Sequence, residues 1–109
     1  VAAYVGDGSA MYSIQSLWTA AHHKLPITFV IPNNGGYRII KQRLKAFHGS
    51  THFIGMDFQD PPVDYAAIAR GYGLAAERVS DPGKLKPALA ASFERTGPTL
   101  LEVMVEGSV

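Results

Sequence analysis

The sequence predicts an α/β domain with a doubly wound, mostly parallel sheet and helices on both faces. Three observations predict this fold class. Apolar segments of strand length alternate along the chain with segments of helical periodicity. The strand segments are continuous apolar runs, which is typical of parallel sheets covered on both faces. The chain has 109 residues, of which 47% are hydrophobic, enough for one core and too few for a second domain.

The first strand and the first helix are predicted at the start of the chain. Residues 1–5 form an apolar run that predicts a short buried strand, and this strand ends at Gly6. Residues 9 to about 23 predict a helix, because apolar side chains recur on one helical face. The members of that stripe are Met11, Ile14, Leu17, Trp18 and Ala21. We expect Trp18 to lie in the core or at a subunit contact.

The next segments repeat the alternation of strand and helix. Pro26 ends the first helix, and residues 27–31 predict a second buried strand. Residues 32–36 are a turn cluster, since Asn and Gly tolerate the backbone angles that turns need. Residues 37 to about 47 predict a basic amphipathic helix. Its basic residues, expected to form a solvated face, are Arg38, Lys41, Arg43 and Lys45. The irregular stretch 48–63 is long enough for a functional loop, which either covers a ligand site or packs against other domains.

The second half of the chain predicts two more helices and two more strands. In order, these are a helix over residues 65–72, a strand over 74–79, a helix from 81 to about 95 and a strand over 99–105. Asp64 and Asp81 stand where N-caps stabilise a first helical turn. Pro87 lies inside the second of these helices and predicts either a kink or a later start.

Composition and charge exclude several classes of function. Ten Lys and Arg against nine Asp and Glu give a formal net charge of +1, so we expect no basic face for nucleic acid. The chain has no cysteine, which excludes disulfides, cysteine-ligated metals and thiol catalysis. No apolar run approaches the roughly 20 residues that cross a bilayer, and no signal-peptide pattern opens the chain. We therefore expect a cytoplasmic protein that binds neither nucleic acid nor membrane.

The first residues of the chain already belong to a predicted core strand. No initiator Met and no polar lead-in precede them. Because a domain rarely opens in its core, we expect residues 1–109 to be one domain of a longer, multidomain protein, truncated at its N-terminal side.

A Gly-Asp-Gly-Ser motif at residues 6–9 connects the first strand to the first helix. Glycines there permit a tight turn and a close approach of the backbone to a ligand, and a helix N-terminus attracts phosphate. The motif does not match the Rossmann fingerprint, because position 11 is Met11 where that pattern has Gly. It does not match a P-loop, because no Gly-Lys-Ser/Thr follows. The carboxylate of Asp7 would repel phosphate unless a cation lay between them. Taken alone, the motif is also a common turn.

A second polar cluster, Asn33-Asn34-Gly35-Gly36, follows the next predicted strand. It comes one strand–helix–strand crossover after Asp7, so the chain returns to the same edge of the sheet. Asp7 and Asn34 therefore face one cavity if their strands are neighbours. Carboxylate, amide and carbonyl oxygens suit Mg²⁺ or Ca²⁺, and Mg²⁺ usually keeps water and phosphate oxygens in its remaining positions. Together the two clusters predict a metal-clamped diphosphate site.

The segments GDGSAMYSIQSLWTAA and FVIPNNGGY resemble the signature of thiamine-diphosphate-dependent enzymes: Gly-Asp-Gly, a spacer, then Asn-Asn. The resemblance covers essentially the whole chain, as the C-terminal diphosphate-binding domain of the decarboxylase and acetolactate synthase superfamily. It implies thiamine diphosphate and Mg²⁺ as cofactors, and a homodimer or homotetramer with the cofactor between subunits. In that family the activating Glu comes from another domain, so the isolated chain is expected to be inactive.

The resemblance also implies roles for individual residues. The Asp7 and Asn34 side chains and the Gly36 carbonyl would be Mg²⁺ ligands. The implied cofactor-binding residues are Gly6, Asp7, Gly8, Ser9, Asn34, Gly36 and Tyr37. Among these, Gly8 and Ser9 would contact the diphosphate and Tyr37 would lie against it. No catalytic acid or base is implied within this chain.

The branch of the family is indicated by SIQSLWTAA and by the short turn before Tyr37, which look most like benzoylformate decarboxylases. This implies the non-oxidative decarboxylation of a 2-oxo acid. Ile39 and Ile40 stand where pyruvate decarboxylases carry Ile-Glu, and they imply an apolar substrate-pocket wall suited to an aromatic or branched substrate. Arg38 departs from the small residue usual in benzoylformate decarboxylases. An acetolactate-synthase-like carboligase is the alternative among enzymes, and a non-catalytic interaction module that keeps the fold is the alternative of another class.

Overall fold

The four apolar segments predicted as strands form one sheet in the computed structural model, which describes residues 1–109. The strands are β1 (Ala2–Tyr4), β2 (Thr28–Asn33), β3 (Ala75–Val79) and β4 (Thr99–Met104). Their order across the sheet is β1-β2-β4-β3, and every neighbouring pair is parallel. The predicted α/β fold with a parallel sheet is confirmed.

Five helices connect and flank the strands. They are α1 (Asp7–Ala10), α2 (Ser16–His22), α3 (Arg38–His48), α4 (Tyr65–Gly71) and α5 (Leu85–Phe93). A single 3-10 turn over Pro82–Lys84 leads directly into α5. The longest helix, α3, has 11 residues, and no helix combines the length and the apolar character that crossing a membrane requires.

Apolar side chains pack on both faces of the sheet. Leu100 and Leu101 are consecutive residues of β4 and both are buried, so their side chains point to opposite faces. Leu101 packs with Val79 and with Ala88 of α5. Leu100 belongs to the larger core, whose buried members are Ala10, Leu17, Ile31, Tyr65, Ala69, Leu74 and Leu100. Helices α1, α2 and α4 therefore cover one face and α5 the other, as predicted for a doubly wound sheet.

The single helix predicted over residues 9–23 is wrong. The segment forms two helices, since α1 begins earlier, at Asp7, and α2 begins only at Ser16. The residues between them are turns, in which the Ser16 N–H donates to the Ser13 carbonyl at 3.0 Å. This i to i−3 spacing is that of a 3-10 turn. Serine, present at positions 13 and 16, has a lower helix propensity than Ala or Leu, so a break here costs little.

Strand β1 is not buried as predicted. It forms one edge of the sheet and pairs only with β2, and Tyr4 is 77% exposed. Trp18, expected in the core or at a subunit contact, is also exposed and stacks on the His22 ring with centroids 4.8 Å apart. A continuous apolar run predicts a buried strand only where both faces are covered, and nothing in this chain covers Tyr4.

The remaining boundaries lie close to the predicted ones. Strand β2 continues through Pro32, because β1 pairs only with residues 28–30 and leaves Pro32 with one neighbouring strand. Asp64 and Asp81 cap their helices as predicted, each accepting a hydrogen bond at 2.9 Å from an N–H of the first turn. Helix α5 starts late, so Pro87 falls in the first turn, where its missing N–H is tolerated.

Candidate functional site

Asp7 lies at the carboxyl edge of the sheet, where β1 ends and α1 begins. The residue is only 2% exposed. Its Oδ2 atom accepts hydrogen bonds from the backbone N–H groups of Gly35, at 3.0 Å, and Gly36, at 3.2 Å. The Tyr65 hydroxyl donates to the Asp7 carbonyl at 2.9 Å. The carboxylate and the backbone of Asp7 are therefore both held in place.

Asn34 reaches the same point from the end of β2. Strands β1 and β2 are neighbours, so the condition on which the predicted site depended is met. The Oδ1 atom of Asn34 accepts from the Gly36 N–H at 3.2 Å, the same N–H that bonds Asp7. The Gly36 carbonyl accepts no hydrogen bond from the chain. The structure therefore brings the three predicted metal ligands together at one turn.

The Asp7 carboxyl group is under opposing electrostatic influences. Burial raises the pKa of Asp7 above its ordinary value, and the backbone N–H groups of Gly8, Gly35 and Gly36 act to lower that pKa. Burial is the larger effect. A cation beside the carboxylate would offset the cost of burial, because an opposite charge stabilises the ionised form.

The oxygen atoms at this turn fit a hard divalent cation. Carboxylate, amide and carbonyl oxygens are the donors that Mg²⁺ and Ca²⁺ prefer. Elsewhere in the chain, no group of three or more His, Cys, Asp and Glu side chains comes together as an alternative metal cluster. The role of Asp7, Asn34 and Gly36 as ligands stays a prediction.

The other predicted cofactor-binding residues surround this turn. Gly8 packs against the Tyr37 ring, and a Cβ atom on Gly8 would lie 2.7 Å from the Tyr37 Cδ1 atom. Only glycine fits beneath that ring at this separation. Ser9 is exposed beside it, and Gly6 precedes α1 with open space around it. The contacts of these residues with a cofactor stay predictions.

Residues 56–58 form a segment, here called the clamp, that packs over the turn after β2. The Tyr37 N–H donates to the Met56 carbonyl and the Phe58 N–H donates to the Gly35 carbonyl, both at 2.8 Å. The Tyr37 and Phe58 rings meet edge to face with centroids 4.7 Å apart. The clamp thus packs on the turn that carries the candidate ligands, while both roles expected for the long loop stay predictions.

Lys41 departs from the solvated helix face predicted for α3. It is buried and forms an ion pair with Asp57 of the clamp. Its ammonium group also lies 5.5 Å from the centroid of the Phe53 ring. The expectation was wrong because the loop brings Asp57 to the helix, a tertiary contact that helical periodicity does not contain. The pair ties α3 to the clamp.

Ile39 and Ile40, predicted as a substrate-pocket wall, lie in the first turn of α3, just after Tyr37. They are 69% and 46% exposed. Ile40 borders a shallow pocket with Phe47 and Met56. The structure does not bring either side chain into the cluster around Asp7, and it leaves both uncovered.

Comparison with known proteins decides the family. Residues 1–103 match the protein family described as thiamine pyrophosphate enzyme, C-terminal TPP binding domain, thiamine pyrophosphate being another name for thiamine diphosphate. The chain belongs to this family. The resemblance predicted from the Gly-Asp-Gly and Asn-Asn segments is thereby confirmed.

This thiamine pyrophosphate-binding domain is similar to decarboxylases and to acetolactate synthases. It is 42% identical over 100 residues to benzoylformate decarboxylase of Pseudomonas aeruginosa, covering 91% of this chain and 18% of that protein. It is 40% identical over 108 residues to IlvX of Mycobacterium tuberculosis, which is named for the acetolactate synthase large subunits, covering 94% of this chain and 21% of that protein. The solved structure of 4-hydroxybenzoylformate decarboxylase from Rhodococcus jostii RHA1 superposes with a TM-score of 0.91 at 32% identity, covering 99% of this chain and 20% of that one.

The predicted similarity to benzoylformate decarboxylases is thus confirmed, as a similarity of this domain. The domain spans about a fifth of the length of these relatives. Because relatives of two activities resemble it to a similar degree, the family and its cofactor are established and the specific reaction is not.

Proposed function

We propose that this domain binds the Mg²⁺-diphosphate end of thiamine diphosphate within a benzoylformate decarboxylase-like 2-oxo acid decarboxylase. The observation that carries the proposal is the convergence of Asp7 Oδ2 and Asn34 Oδ1 on the Gly36 N–H, each at 3.2 Å, next to the unpaired Gly36 carbonyl. This arrangement offers a divalent cation three oxygen atoms. It leaves further coordination positions for water and for diphosphate oxygens, as Mg²⁺ prefers.

The residues around the turn would hold and orient the diphosphate. Gly8 and Ser9 lie at the start of α1, where the Ser9 N–H has no hydrogen-bond partner in the chain and would be available to an anion. Tyr37, fixed by the clamp, would form one wall. When bound, thiamine diphosphate supplies the electron acceptance that loss of CO₂ from a 2-oxo acid requires. The task of this chain is therefore to bind and to orient, since it contributes no catalytic acid or base.

The exposed apolar side chains support the proposals on substrate and assembly. Ile39 and Ile40 would line the substrate pocket, where their apolar character suits an aromatic or branched 2-oxo acid. Exposed residues such as Tyr4, Trp18 and Phe47 would be covered in a homodimer or homotetramer that holds the cofactor between subunits. A cytoplasmic location stays a prediction from the sequence.

An acetolactate-synthase-like carboligase is the second candidate function. The 40% identity to IlvX favours it. Both reactions begin with decarboxylation of a 2-oxo acid, so the same diphosphate site serves either.

The full-length protein, supplied with thiamine diphosphate, Mg²⁺ and either benzoylformate or pyruvate, distinguishes the two reactions. We expect CO₂ and benzaldehyde from benzoylformate, with kcat/KM at least about tenfold above that for pyruvate, because apolar pocket contacts discriminate by roughly 10–200-fold. Acetolactate formed from pyruvate as the main product would support the carboligase instead. As a control, thiamine diphosphate is titrated calorimetrically with Mg²⁺ and with EDTA. Equally tight binding in EDTA would contradict the metal-clamped site in both proposals.

A further inference from the structure

Glu102 of β4 is a fully buried carboxylate that contacts Asn33, the last residue of β2 before the candidate ligand Asn34. Its Oε2 atom accepts a hydrogen bond from the Asn33 side-chain amide Nδ2 at 2.6 Å. Its Oε1 atom accepts from the Ala66 N–H at 3.2 Å and from Arg78 Nε at 3.1 Å. Glu102 therefore has three donors, contributed by β2, α4 and β3.

Burying a carboxylate in this strand costs desolvation free energy. The two preceding residues of β4, Leu100 and Leu101, fill the two cores with apolar side chains. A buried ion pair seldom adds more stability than well-packed apolar residues of similar volume. All three partners of Glu102 are donors, which is the arrangement that an ionised, acceptor-only carboxylate satisfies. Core stability alone does not account for this residue.

The hydrogen bond to Glu102 determines the orientation of the Asn33 amide. A carboxylate can only accept, so the Nδ2 end of Asn33 must face it. The Oδ1 end then points at the Gly35 N–H and accepts from it at 3.0 Å. That same N–H also bonds Asp7 Oδ2 at 3.0 Å. A continuous network thus runs from Glu102 through Asn33 and Gly35 to Asp7.

We infer that Glu102 is a positioning residue for the metal-binding turn at residues 34–36. By fixing the direction of the Asn33 amide, it holds the Gly35 N–H and with it the turn on which Asn34 and Gly36 stand. This inference rests on the proposed function for the role of the turn, whereas the ordering of the turn itself is a property of this chain.

Replacing Glu102 by Gln tests the inference in the full-length protein. Gln has one oxygen and one NH₂ group in place of the two carboxylate oxygens. If its oxygen keeps the bonds from Ala66 and Arg78, its NH₂ group faces the NH₂ group of Asn33, so that two donors oppose each other. We expect Asn33 to turn away and release the Gly35 N–H. Affinity for thiamine diphosphate in the presence of Mg²⁺ should fall about 10–100-fold, the effect typical of outer-shell partners of a metal site. Without cofactor, deuterium exchange in a peptide spanning residues 34–37 should become faster.

A double variant, Glu102→Gln with Asn33→Asp, should restore both properties. The hydrogen bond is then reversed, because the Gln amide donates to one Asp oxygen while the other Asp oxygen still accepts from the Gly35 N–H. The buried negative charge is also retained. We expect recovery of most of the affinity and of slow exchange at residues 34–37. If the single variant does not fold, the double variant is measured alone. Wild-type exchange at residues 34–37 in a folded double variant then supports the inference.

Thr28→Val is the matched structural control. It removes the buried hydrogen bond from Thr28 Oγ1 to Ser92 Oγ, 3.0 Å long, at the opposite end of β2. It should lower the melting temperature without changing cofactor affinity or exchange at residues 34–37. The inference is overturned if Glu102→Gln behaves like this control, or if the double variant recovers neither property. Absence of Mg²⁺-dependent binding in the wild type would refute the proposed function, while the exchange rates without cofactor would still decide the role of Glu102.

Discussion

Replacing Asp7 by Asn is expected to abolish Mg²⁺-dependent binding of thiamine diphosphate. The substitution keeps the size of the side chain and one oxygen that can accept from Gly35 and Gly36, as Oδ2 does in the wild type. It removes the negative charge from the candidate ligand. Loss of an outer-shell partner costs about 10–100-fold in metal affinity, so loss of a charged ligand should cost at least about 100-fold. Calorimetric titration of thiamine diphosphate with Mg²⁺ into the full-length protein measures this loss.

Thermal unfolding without cofactor separates that loss from a folding defect. Burial raises the pKa of Asp7 in the folded state, so the folded state binds this proton more tightly than the unfolded chain. The Asp7 contribution to stability therefore falls as the pH rises from the ordinary Asp range through the raised folded pKa. Asn avoids that cost, and we expect a melting temperature at pH 7 equal to or above that of the wild type. Binding should thus be lost without any loss of stability.

Glu94→Gln is the control for a simple change of charge. Glu94 is exposed at the end of α5, just before β4 begins. It therefore lies near the amino-terminal ends of the strands, whereas Asp7 lies at their carboxyl ends. This variant should bind thiamine diphosphate like the wild type. If Asp7→Asn also retains wild-type affinity with Mg²⁺, Asp7 is not a metal ligand and the proposed site is wrong.

Much of the fold follows from local features of the sequence. The four strands are short, largely apolar segments, interrupted by Glu77 and Arg78 in β3 and by Glu102 in β4, and all four were predicted. The parallel arrangement then brings Asp7 and Asn34 to one sheet edge, because a crossover connection returns the chain to the same side. Local patterns did not predict the division of residues 9–23 into two helices. The break before Ser16 lies in a segment whose apolar stripe would equally suit one continuous helix.

The partners of the site were missed because they come from distant parts of the chain. The Asp57 contact that buries Lys41 and the hydrogen bonds of the clamp depend on how the long loop folds back. Glu102 did leave a signal in the sequence, since it is the one charged residue in the apolar run 99–105. Glu is almost never fully buried unless it is paired. The sequence can therefore point to a buried partner here without showing that the partners are Asn33 and Arg78.

Replacing Gly36 by Ala is expected to displace the clamp and weaken cofactor binding. A Cβ atom at this position would collide with the Met56 carbonyl and would lie 3.3 Å from the Asp57 Cα atom. Both are backbone atoms, so rotation of a side chain cannot relieve the contact. The clamp must move, which weakens the hydrogen bond from the Tyr37 N–H to Met56 and shifts the N–H shared by the candidate metal ligands. Overpacking of this kind should lower the free energy of unfolding by about 1–3 kcal/mol.

The affinity for thiamine diphosphate with Mg²⁺ should fall at least about tenfold in Gly36→Ala, because the turn carries two of the candidate ligands. Gly71→Ala is the matched control: the residue ends α4 and a Cβ atom there meets open space. Since Ala favours a helix over Gly by up to about 1 kcal/mol, this control should be at least as stable as the wild type and bind normally. Urea unfolding and calorimetry measure the two effects. If Gly36→Ala loses stability but binds as tightly as Gly71→Ala, the clamp supports the fold alone, and the position of the Gly36 backbone is not critical to the cofactor site.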